Sequence, residues 1–314
     1  MRLLAMIPEM SNFGGNDKKG IADKMRFSSL SDLKKNGAKV LAKGPIAMII
    51  VEDKIEVDTT LRHHVAAGFK SVIAFCPASF QLPEDVEAAC HRVDFDAKTS
   101  GLPLSEIVNE LIPLTHDQWL YYCYNAEFLF HPFSETRNVT ELLAFHAEER
   151  RDAMLTYVID VYAGDLQKDR NGVNIEDAYL DRTGYFALAR SDPEHHNHPH
   201  ERQLDFFGGL HWRFEEHIPV ARRKIDRISL FKSKPGLEMR PGYVFNDDEY
   251  NTYACPWHNN LTSAIVSFRA AKALKRNPGS SFDIHTFKWH NSVKFEWHSR
   301  QLMDLGLMEP GQWF

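Results

Sequence analysis

The sequence has few cysteines and no long apolar run. Its four cysteines show neither CxxC spacing nor the density of a disulfide scaffold, which predicts reduced thiols. No apolar run reaches the roughly 18–20 residues of a membrane span. The apolar start, Met1–Ile7, stops at Pro8 and is too short for a secretory signal. We therefore expect a cytoplasmic protein without a transmembrane segment, which a surface patch or a partner could still bring to the inner membrane. The cysteines are Cys76, Cys90, Cys123 and Cys255.

An excess of positive charge is also lacking. The 314 residues include 37 Lys and Arg against 43 Asp and Glu, a formal net charge of −6. Such a balance provides no basic field for wrapping nucleic acid, so we expect no nucleic-acid partner. The one short basic run, Arg222-Arg223-Lys224, is typical of a solvated helix face. Hydrophobic residues make up 43% of the chain, which is enough to build a substantial core.

The order of apolar segments predicts an α/β fold. Residues 1–44 are polar and are predicted to be an N-terminal extension, followed by a single domain over 45–314 with a helical and aromatic C-terminal segment. Ile46–Val51 and Ser71–Phe75 are apolar runs typical of buried parallel strands, and Thr60–Ala67 between them is predicted to be a helix. Strands alternating with helices predict βαβ units and a mostly parallel sheet flanked by helices, with polar loop insertions.

Later segments give further predictions of secondary structure. Residues 164–203 are polar, and the cluster Glu194–His200 within them is predicted to be a surface loop. The predicted strands are Gln118–Phe130, Met154–Tyr162, Phe206–Phe214 and Ile228–Lys232, and Ser281–Lys288 is predicted to be extended. The predicted helices are Thr140–Arg150 with Thr140 as its cap, Asn259–Leu274, and a short one near Arg300–Leu305.

An acidic pair leaves the first buried strand. Glu52 and Asp53 directly follow Ile46–Val51. In open α/β sheets ligands bind outside the carboxyl ends of the strands, where a carboxylate can accept hydrogen bonds from a base or a ribose. The alternative is a pair of solvated loop acids.

Two segments carry a resemblance to a known family. The first is Leu61-Arg62-His63-His64 with the following Gly68-Phe69, and the second is Trp119–Leu129, which contains Tyr124-Asn125-Ala126-Glu127. Together with the acidic pair they resemble bacterial glycosyltransferases of the family 2 type and their family-92-like relatives. The resemblance covers about two-thirds of the chain, from Ile46 to His258. It implies a GT-A-like (Rossmann-like) sheet that binds a nucleotide-sugar donor, with a UDP-sugar favoured.

The second segment departs from the family at the metal-binding motif. Relatives carry DxDEFL, whose aspartates help to hold a divalent cation on the donor's diphosphate, whereas this chain has Tyr124 and Ala126 at the aspartate positions. The resemblance implies that Glu52, Asp53, Asn125 and Glu127 face the donor. It also implies Glu127 as a ligand of Mg²⁺ or Mn²⁺. With the aspartates absent, the metal requirement is open.

A glycine pair precedes a third segment that resembles a motif of the same family. Phe207-Gly208-Gly209 leads to His211-Trp212-Arg213, and relatives have a similar phrase on the acceptor side of the cleft. Arg213 could pair with a donor phosphate, or the segment could be a bulge with a surface salt bridge.

An inverting transfer needs a carboxylate to deprotonate the acceptor hydroxyl. The candidates for this catalytic base are Asp160, Glu215 and Glu216.

Histidines and tryptophans leave several alternatives. The family places a histidine after a strand like Ile225–Lys234, which implies that His258 binds the metal or the diphosphate; a buried structural histidine beside Trp257 is the alternative. The crowded histidines of residues 195–200 suggest zinc, but their spacing matches no closed site and is typical of a solvated loop. Trp289-His290 and Trp297-His298 could stack on a sugar or lie in the core.

The residues and the resemblance together predict a glycosyltransferase. It would move a sugar from a nucleotide diphosphate donor to a glycan, lipid or small acceptor, and positive side chains could replace the metal in stabilising the leaving group. One alternative is an inactive protein of the same fold that binds nucleotide or glycan. Another is a metal hydrolase that uses the histidine loop.

Overall fold

The computed structural model describes residues 24–254 and 260–313. The strands are β1 (Arg26–Phe27), β2 (Ile46–Ile50), β3 (Ser71–Cys76), β4 (His91–Asp94), β5 (Trp119–Tyr124), β6 (Glu127–Phe130), β7 (Ala153–Ala163), β8 (Ala178–Asp181), β9 (Phe186–Asp192), β10 (His198–Phe207), β11 (Asp226–Lys232), β12 (Met239–Arg240), β13 (Val244–Phe245), β14 (Ser263–Ser267) and β15 (Ser292–Lys294). The helices are α1 (Leu30–Asn36), α2 (Ala38–Leu41), α3 (Val57–Ala66), α4 (Glu84–Ala89), α5 (Leu104–Leu111), α6 (Val139–Glu148), α7 (Gly209–Arg213), α8 (Arg269–Arg276), α9 (Pro278–Asp283) and α10 (Ser299–Asp304).

One large mixed sheet organises the described residues. Its main order is β1-β4-β3-β2-β5-β11-β7-β14-β6, and β8 and β15 continue from the end of β7. The strands from β1 to β5 in this order are mutually parallel, and β7 is parallel to β14. Because β11 runs antiparallel to both β5 and β7, these two strands point the same way. The predicted α/β class with a mostly parallel sheet flanked by helices is confirmed.

Apolar helix faces cover both sides of this sheet. On one side, α1, α2 and α5 bury residues such as Leu33, Leu41 and Ile107 against the sheet. On the other side, α3, α4 and α6 contribute Leu61, Val86 and Leu142 among others. Burying apolar residues on both faces explains why the central strands are continuous hydrophobic runs without alternation.

The described part of the predicted N-terminal extension belongs to this fold. Strand β1 pairs in parallel with β4, with Phe27 opposite Val93. Phe27, Leu33 and Leu41 are buried in the same core as β2 and β5. The boundary predicted between residues 44 and 45 therefore does not separate residues 24–44 from the domain, and residues 1–23 lie outside the described residues.

Several predicted elements were wrong in type or extent. Residues 118–130 are two strands, because the chain turns at Asn125-Ala126 with Ala126 at φ 62°. The polar segment 164–203 contains β8, β9 and most of β10, while the loop predicted at Glu194–His200 spans the exposed connection between β9 and β10 and the start of β10. Residues 206–214 end β10 and form α7, and residues 260–274 contain β14 before α8. Residues 281–288 include the end of helix α9. Helix α6 is capped by Asn138 through a capping box with Glu141, in place of Thr140.

Two general predictions can be checked against the fold. Three of the four cysteines lie in the described residues, and Cys76, Cys90 and Cys123 are buried free thiols. Among the described helices, none combines the length and the apolar character needed to cross a bilayer.

Candidate functional site

Charged side chains converge where β2, β5 and β14 end. Glu52 and Asp53 follow β2, Asn125 follows β5, and Arg269 follows β14. The antiparallel β11 begins near the same edge and carries Arg227. Parallel strands bring residues that are distant in sequence to one edge, which is where open α/β sheets bind ligands. The sequence-predicted residues Glu52, Asp53, Asn125 and Glu127 do come together here.

The deepest element of this site is an ion pair between Glu127 and Arg227. The guanidinium donates two hydrogen bonds, of 2.8 and 2.9 Å, to the two carboxylate oxygens. The Tyr124 backbone N–H and the Ser267 hydroxyl donate to the same carboxylate at 2.9 and 3.1 Å. Glu127 is fully buried. Burial alone would raise its pKa, but Arg227 holds the pKa of Glu127 below its usual value.

Nearer to solvent, Glu52 pairs with Arg269. The guanidinium donates to both carboxylate oxygens at 2.7 and 2.8 Å. It also lies over the ring of Tyr124, 3.7 Å from its centroid. The Arg269 side chain is 31% exposed, so this cation can reach a ligand at the sheet edge.

Asp53 binds two further cations. Lys272 Nζ lies 3.3 Å from Asp53 Oδ2, and an Arg276 guanidinium nitrogen lies 2.7 Å from the same oxygen. Asn125 braces the loop, since its amide donates to Asp53 Oδ1 at 2.9 Å and its side-chain oxygen accepts from the Glu52 N–H at 2.8 Å. Burial would raise the pKa of Asp53, but Lys272, the loop hydrogen bonds and Arg276 lower it. Burial lowers the pKa of Lys272, although Asp53 opposes this.

We call these residues the basic cluster; it comprises Arg227, Arg269, Lys272 and Arg276 with Glu52, Asp53 and Glu127. It therefore holds four cations against three carboxylates. Three of the cations occupy positions i, i+3 and i+7 of α8, which places them on one helix face. Two lie in the first turn, where the helix dipole disfavours positive charge. Glu52 and Asp53 offset this cost, and the net positive charge suits an anion.

Tyr243 borders the basic cluster in a strained conformation. Its φ is 62°, a value that bulky residues rarely adopt. The Arg227 guanidinium lies 5.0 Å from its ring centroid, and its hydroxyl lies 3.4 Å from that of Tyr124. Burial would raise its pKa, but Arg227 and Arg269 hold the pKa of Tyr243 below its usual value. Strain of this kind is concentrated at functional sites.

The residues at the family's metal motif do not fit a divalent cation. Tyr124 and Ala126 offer no carboxylate, and each oxygen of Glu127 already accepts two hydrogen bonds. The structure thus makes Glu127 the ion-pair partner of Arg227, and its role as a metal ligand stays a prediction that these contacts do not favour. Within residues 24–254 and 260–313, no group of three or more His, Cys, Asp or Glu is placed to hold a metal ion. His258, the other predicted ligand, lies outside the described residues.

A second group of polar residues surrounds Asp160 on β7. Asp160 pairs in register with Ser267 of β14, whose hydroxyl donates to Glu127, so this group adjoins the basic cluster. One Asp160 oxygen, Oδ2, lies 2.7 Å from His211 Nδ1 and accepts from the His211 backbone N–H at 3.1 Å. Gly209 permits this approach, because a Cβ at its φ of 60° would stand 2.8 Å from Oδ2.

Arg213 occupies the floor of this second group, away from solvent. Its Nε lies 2.9 Å from Asp181 Oδ2. Asp181 also accepts hydrogen bonds from the Tyr162 hydroxyl at 2.5 Å and the Trp289 ring N–H at 2.8 Å. Burial raises the pKa of Asp181, against the opposing effect of Arg213. Arg213 thus forms an internal ion pair, Trp289 contacts the same carboxyl group, and the contact of Arg213 with donor phosphate stays a prediction.

Four side-chain atoms of the second group are buried without a hydrogen bond; two of them, Asp181 Oδ2 and Arg213 Nε, pair with each other, and the other two have no partner among the described residues. Asp160 Oδ1 and the Tyr185 hydroxyl are buried without a hydrogen bond. Buried polar atoms without partners are rare and indicate a position for water or a ligand. Tyr185 also lines a cleft of 370 Å³, whose aromatic walls are Tyr157, Tyr185, Phe186, Phe206, Phe207 and Tyr253.

Other predicted residues lie elsewhere. Glu215 is exposed and forms an ion pair with Arg223, and Glu216 is exposed near His217. Neither is joined to Asp160 by a contact in the described residues, so the predicted role of base is supported for neither. Of the histidines of residues 195–200, His195 and His196 lie in the exposed connection between β9 and β10, and His198 and His200 lie at the start of β10. Trp297 donates to the Ile175 carbonyl and packs in an aromatic core.

Sequence reasoning missed the residues that complete both groups. Arg227 was not singled out, since 100 residues separate it from Glu127. Arg269, Lys272 and Arg276 have the spacing of one helix face, a signal that was available. His211 was noted only as part of a phrase.

No model of a known protein family matches this chain, and no curated protein sequence matches it.

Proposed function

We propose that this chain is a glycosyltransferase that moves a sugar from a nucleotide diphosphate donor, with a UDP-sugar favoured, to a glycan, lipid or small acceptor. The donor's diphosphate would lie against the basic cluster. Arg269 and Arg276 are its exposed cations and would meet the phosphates first.

One observation carries the proposal. The basic cluster lies at the carboxyl ends of β2 and β5, at the place where the resemblance expects a metal-bound diphosphate, and supplies four cations there. Guanidinium groups bind phosphate oxygens in pairs and can stabilise the charge of a leaving diphosphate. Positive side chains would thus do what a divalent cation does elsewhere, and no step needs a metal.

A second candidate function is binding of a nucleotide or glycan without turnover. The observation that favours it is the engagement of every cation of the basic cluster with a carboxylate. In that case the cluster would hold the fold together and offer a ligand only its residual positive charge.

We expect UDP to be released from a UDP-sugar in the presence of EDTA, because the cations of the chain replace the metal. The assay follows UDP release from UDP-glucose, UDP-galactose and UDP-N-acetylglucosamine, with EDTA or with Mn²⁺. Removing one preorganised cation should lower kcat about 10²–10³-fold, so Arg269→Ala should be nearly inactive.

Arg62→Ala is the matched control, since Arg62 has similar exposure and also pairs with an acid, Asp85. His258→Ala tests the implied role of His258 in the same assay. UDP binding without turnover under any condition would support the second candidate. If the chain neither binds UDP nor releases it from any of these donors, the proposal is wrong.

A further inference from the structure

His211 and Asp160 form a hydrogen-bonded pair at the edge of the second polar group. An ionised carboxylate can only accept, so the 2.7 Å contact assigns the proton to His211 Nδ1. In the neutral imidazole with its proton on Nδ1, the other ring nitrogen, Nε2, carries the lone pair that can accept a proton. Within the described residues no hydrogen bond is made by Nε2, and the His211 side chain is 19% exposed while Asp160 is 1% exposed.

The backbone is built to hold this pair. Helix α7 begins at Gly209, and the His211 N–H is one of its first-turn donors, which Asp160 satisfies. A side chain at position 209 would collide with the carboxylate. The backbone N–H and the imidazole of His211 therefore each contact one carboxylate oxygen, an arrangement that fixes the direction of the ring.

The pair also lies next to the proposed donor site. Asp160 is in register with Ser267, and Ser267 is in register with Glu127 on the other side. Asp160 Oδ1 and the Tyr185 hydroxyl are buried without hydrogen-bond partners, and Tyr185 also lines the aromatic cleft.

We infer that His211 is the proton acceptor of the transfer reaction and that Asp160 is the residue that positions it. This inference rests on the proposed function. Nε2 takes the proton of the acceptor hydroxyl, and the freed oxygen electron pair forms the bond to the anomeric carbon. The bond from that carbon to the diphosphate oxygen breaks, and its electron pair leaves with the nucleoside diphosphate. The Asp160 carboxylate stabilises the imidazolium that forms.

Few charged or titratable groups surround the His211–Asp160 pair. They are the ion pair of Asp181 with Arg213, and Tyr185, which lines the aromatic cleft. The test therefore uses direct substitution and rescue, which do not depend on how these neighbours titrate.

The experiment measures kcat for UDP release from UDP-glucose, with water or an added acceptor, together with UDP affinity. Loss of a general base should lower kcat about 10²–10⁴-fold, so His211→Gln should lose turnover and keep UDP binding. Added imidazole should restore part of the activity of His211→Ala. Asp160→Asn should lower kcat and change the tautomer signature of His211 in ¹⁵N NMR spectra.

His217→Gln is the matched control, because His217 is 17% exposed and lies outside the second group. Turnover by His211→Gln at the wild-type rate would overturn the inference and leave the proposed function standing. If the His211 variants lose UDP binding or folding together with kcat, and imidazole does not restore activity, the inference is overturned. The His211–Asp160 pair would then only stabilise the start of helix α7. No turnover by the wild-type chain would overturn the proposed function, and this inference with it.

Discussion

Replacing Arg227 by alanine is expected to destabilise the fold by about 3–5 kcal/mol, because it leaves a buried carboxylate without its partner. Glu127 is fully buried, and the two hydrogen bonds from Arg227 offset the cost of removing its charge from water. The measurement is the free energy of unfolding in urea at pH 7. Arg26→Ala provides the control, since the Arg26–Asp94 pair is half exposed and exposed pairs contribute about 1 kcal/mol or less.

The stability difference between the wild type and Arg227→Ala is expected to depend on pH in a defined direction. In the wild type the folded-state pKa of Glu127 lies below its usual value of 4.5, so its stabilising contribution is present above pH 4.5 and is lost as the pH falls through the folded pKa. Without Arg227, burial raises the pKa of Glu127, because the neutral carboxyl group costs less free energy to bury than the charged one. The difference in stability between the wild type and Arg227→Ala should therefore shrink as the pH falls, first through the raised pKa of Glu127 in the variant, above pH 4.5, and then below pH 4.5 as the wild type loses its contribution. A difference that stays constant with pH would contradict the ion-pair account.

The second large effect is expected in UDP binding, with opposite signs for the two members of one ion pair. Arg269→Ala should weaken UDP binding about 10²-fold, because truncating one partner of a close charge pair costs 2–5 kcal/mol, part of it from the carboxylate left behind. Glu52→Gln should tighten binding, since Glu52 occupies both guanidinium donors that a phosphate would use. Isothermal titration calorimetry with UDP in EDTA measures both.

Each of these variants has a matched control in the chain. Arg62→Ala removes an arginine of similar exposure that pairs with Asp85, and Glu135→Gln neutralises an acid that is 25% exposed beside Ser299, against 27% for Glu52. Neither control should change UDP affinity. If Arg269→Ala and Glu52→Gln weaken binding equally, their pairing stabilises the site as a structural unit, and the proposed contact of Arg269 with phosphate is wrong.

The parts of the fold that local sequence determines were predictable. Ile46–Ile50 and Ser71–Cys76 are continuous apolar runs, and both form central parallel strands. Because residues after such strands meet at one edge, Glu52 and Asp53 could be placed at the edge where open α/β sheets bind ligands before their partners were known. The contacts that neutralise them could not, since Arg269 lies 217 residues from Glu52 and no local period links them.

The errors have physical causes of the same kind. The turn at Asn125-Ala126 contains neither glycine nor proline, and the apolar residues on both sides of it continue the strand pattern. Residues 259–274 were predicted as one helix because the amphipathic pattern of α8 extends into the buried strand Ser263–Ser267. Asp160 was predicted as a base from its residue type alone. In the structure Asp160 is buried, and the more exposed His211 contacts it. This contact depends on the close approach of Gly209 to Asp160 on β7, which the sequence alone does not show.

The most direct test of the central claim is a crystal structure of the chain with UDP bound, grown in EDTA. We predict that the diphosphate lies against the basic cluster, with phosphate oxygens at hydrogen-bond distance, about 2.7–2.9 Å, from Arg269 or Arg276. We also predict that no cation bridges the phosphates. UDP bound away from the carboxyl ends of β2 and β5, or bound there only when Mg²⁺ or Mn²⁺ is supplied, would contradict the account.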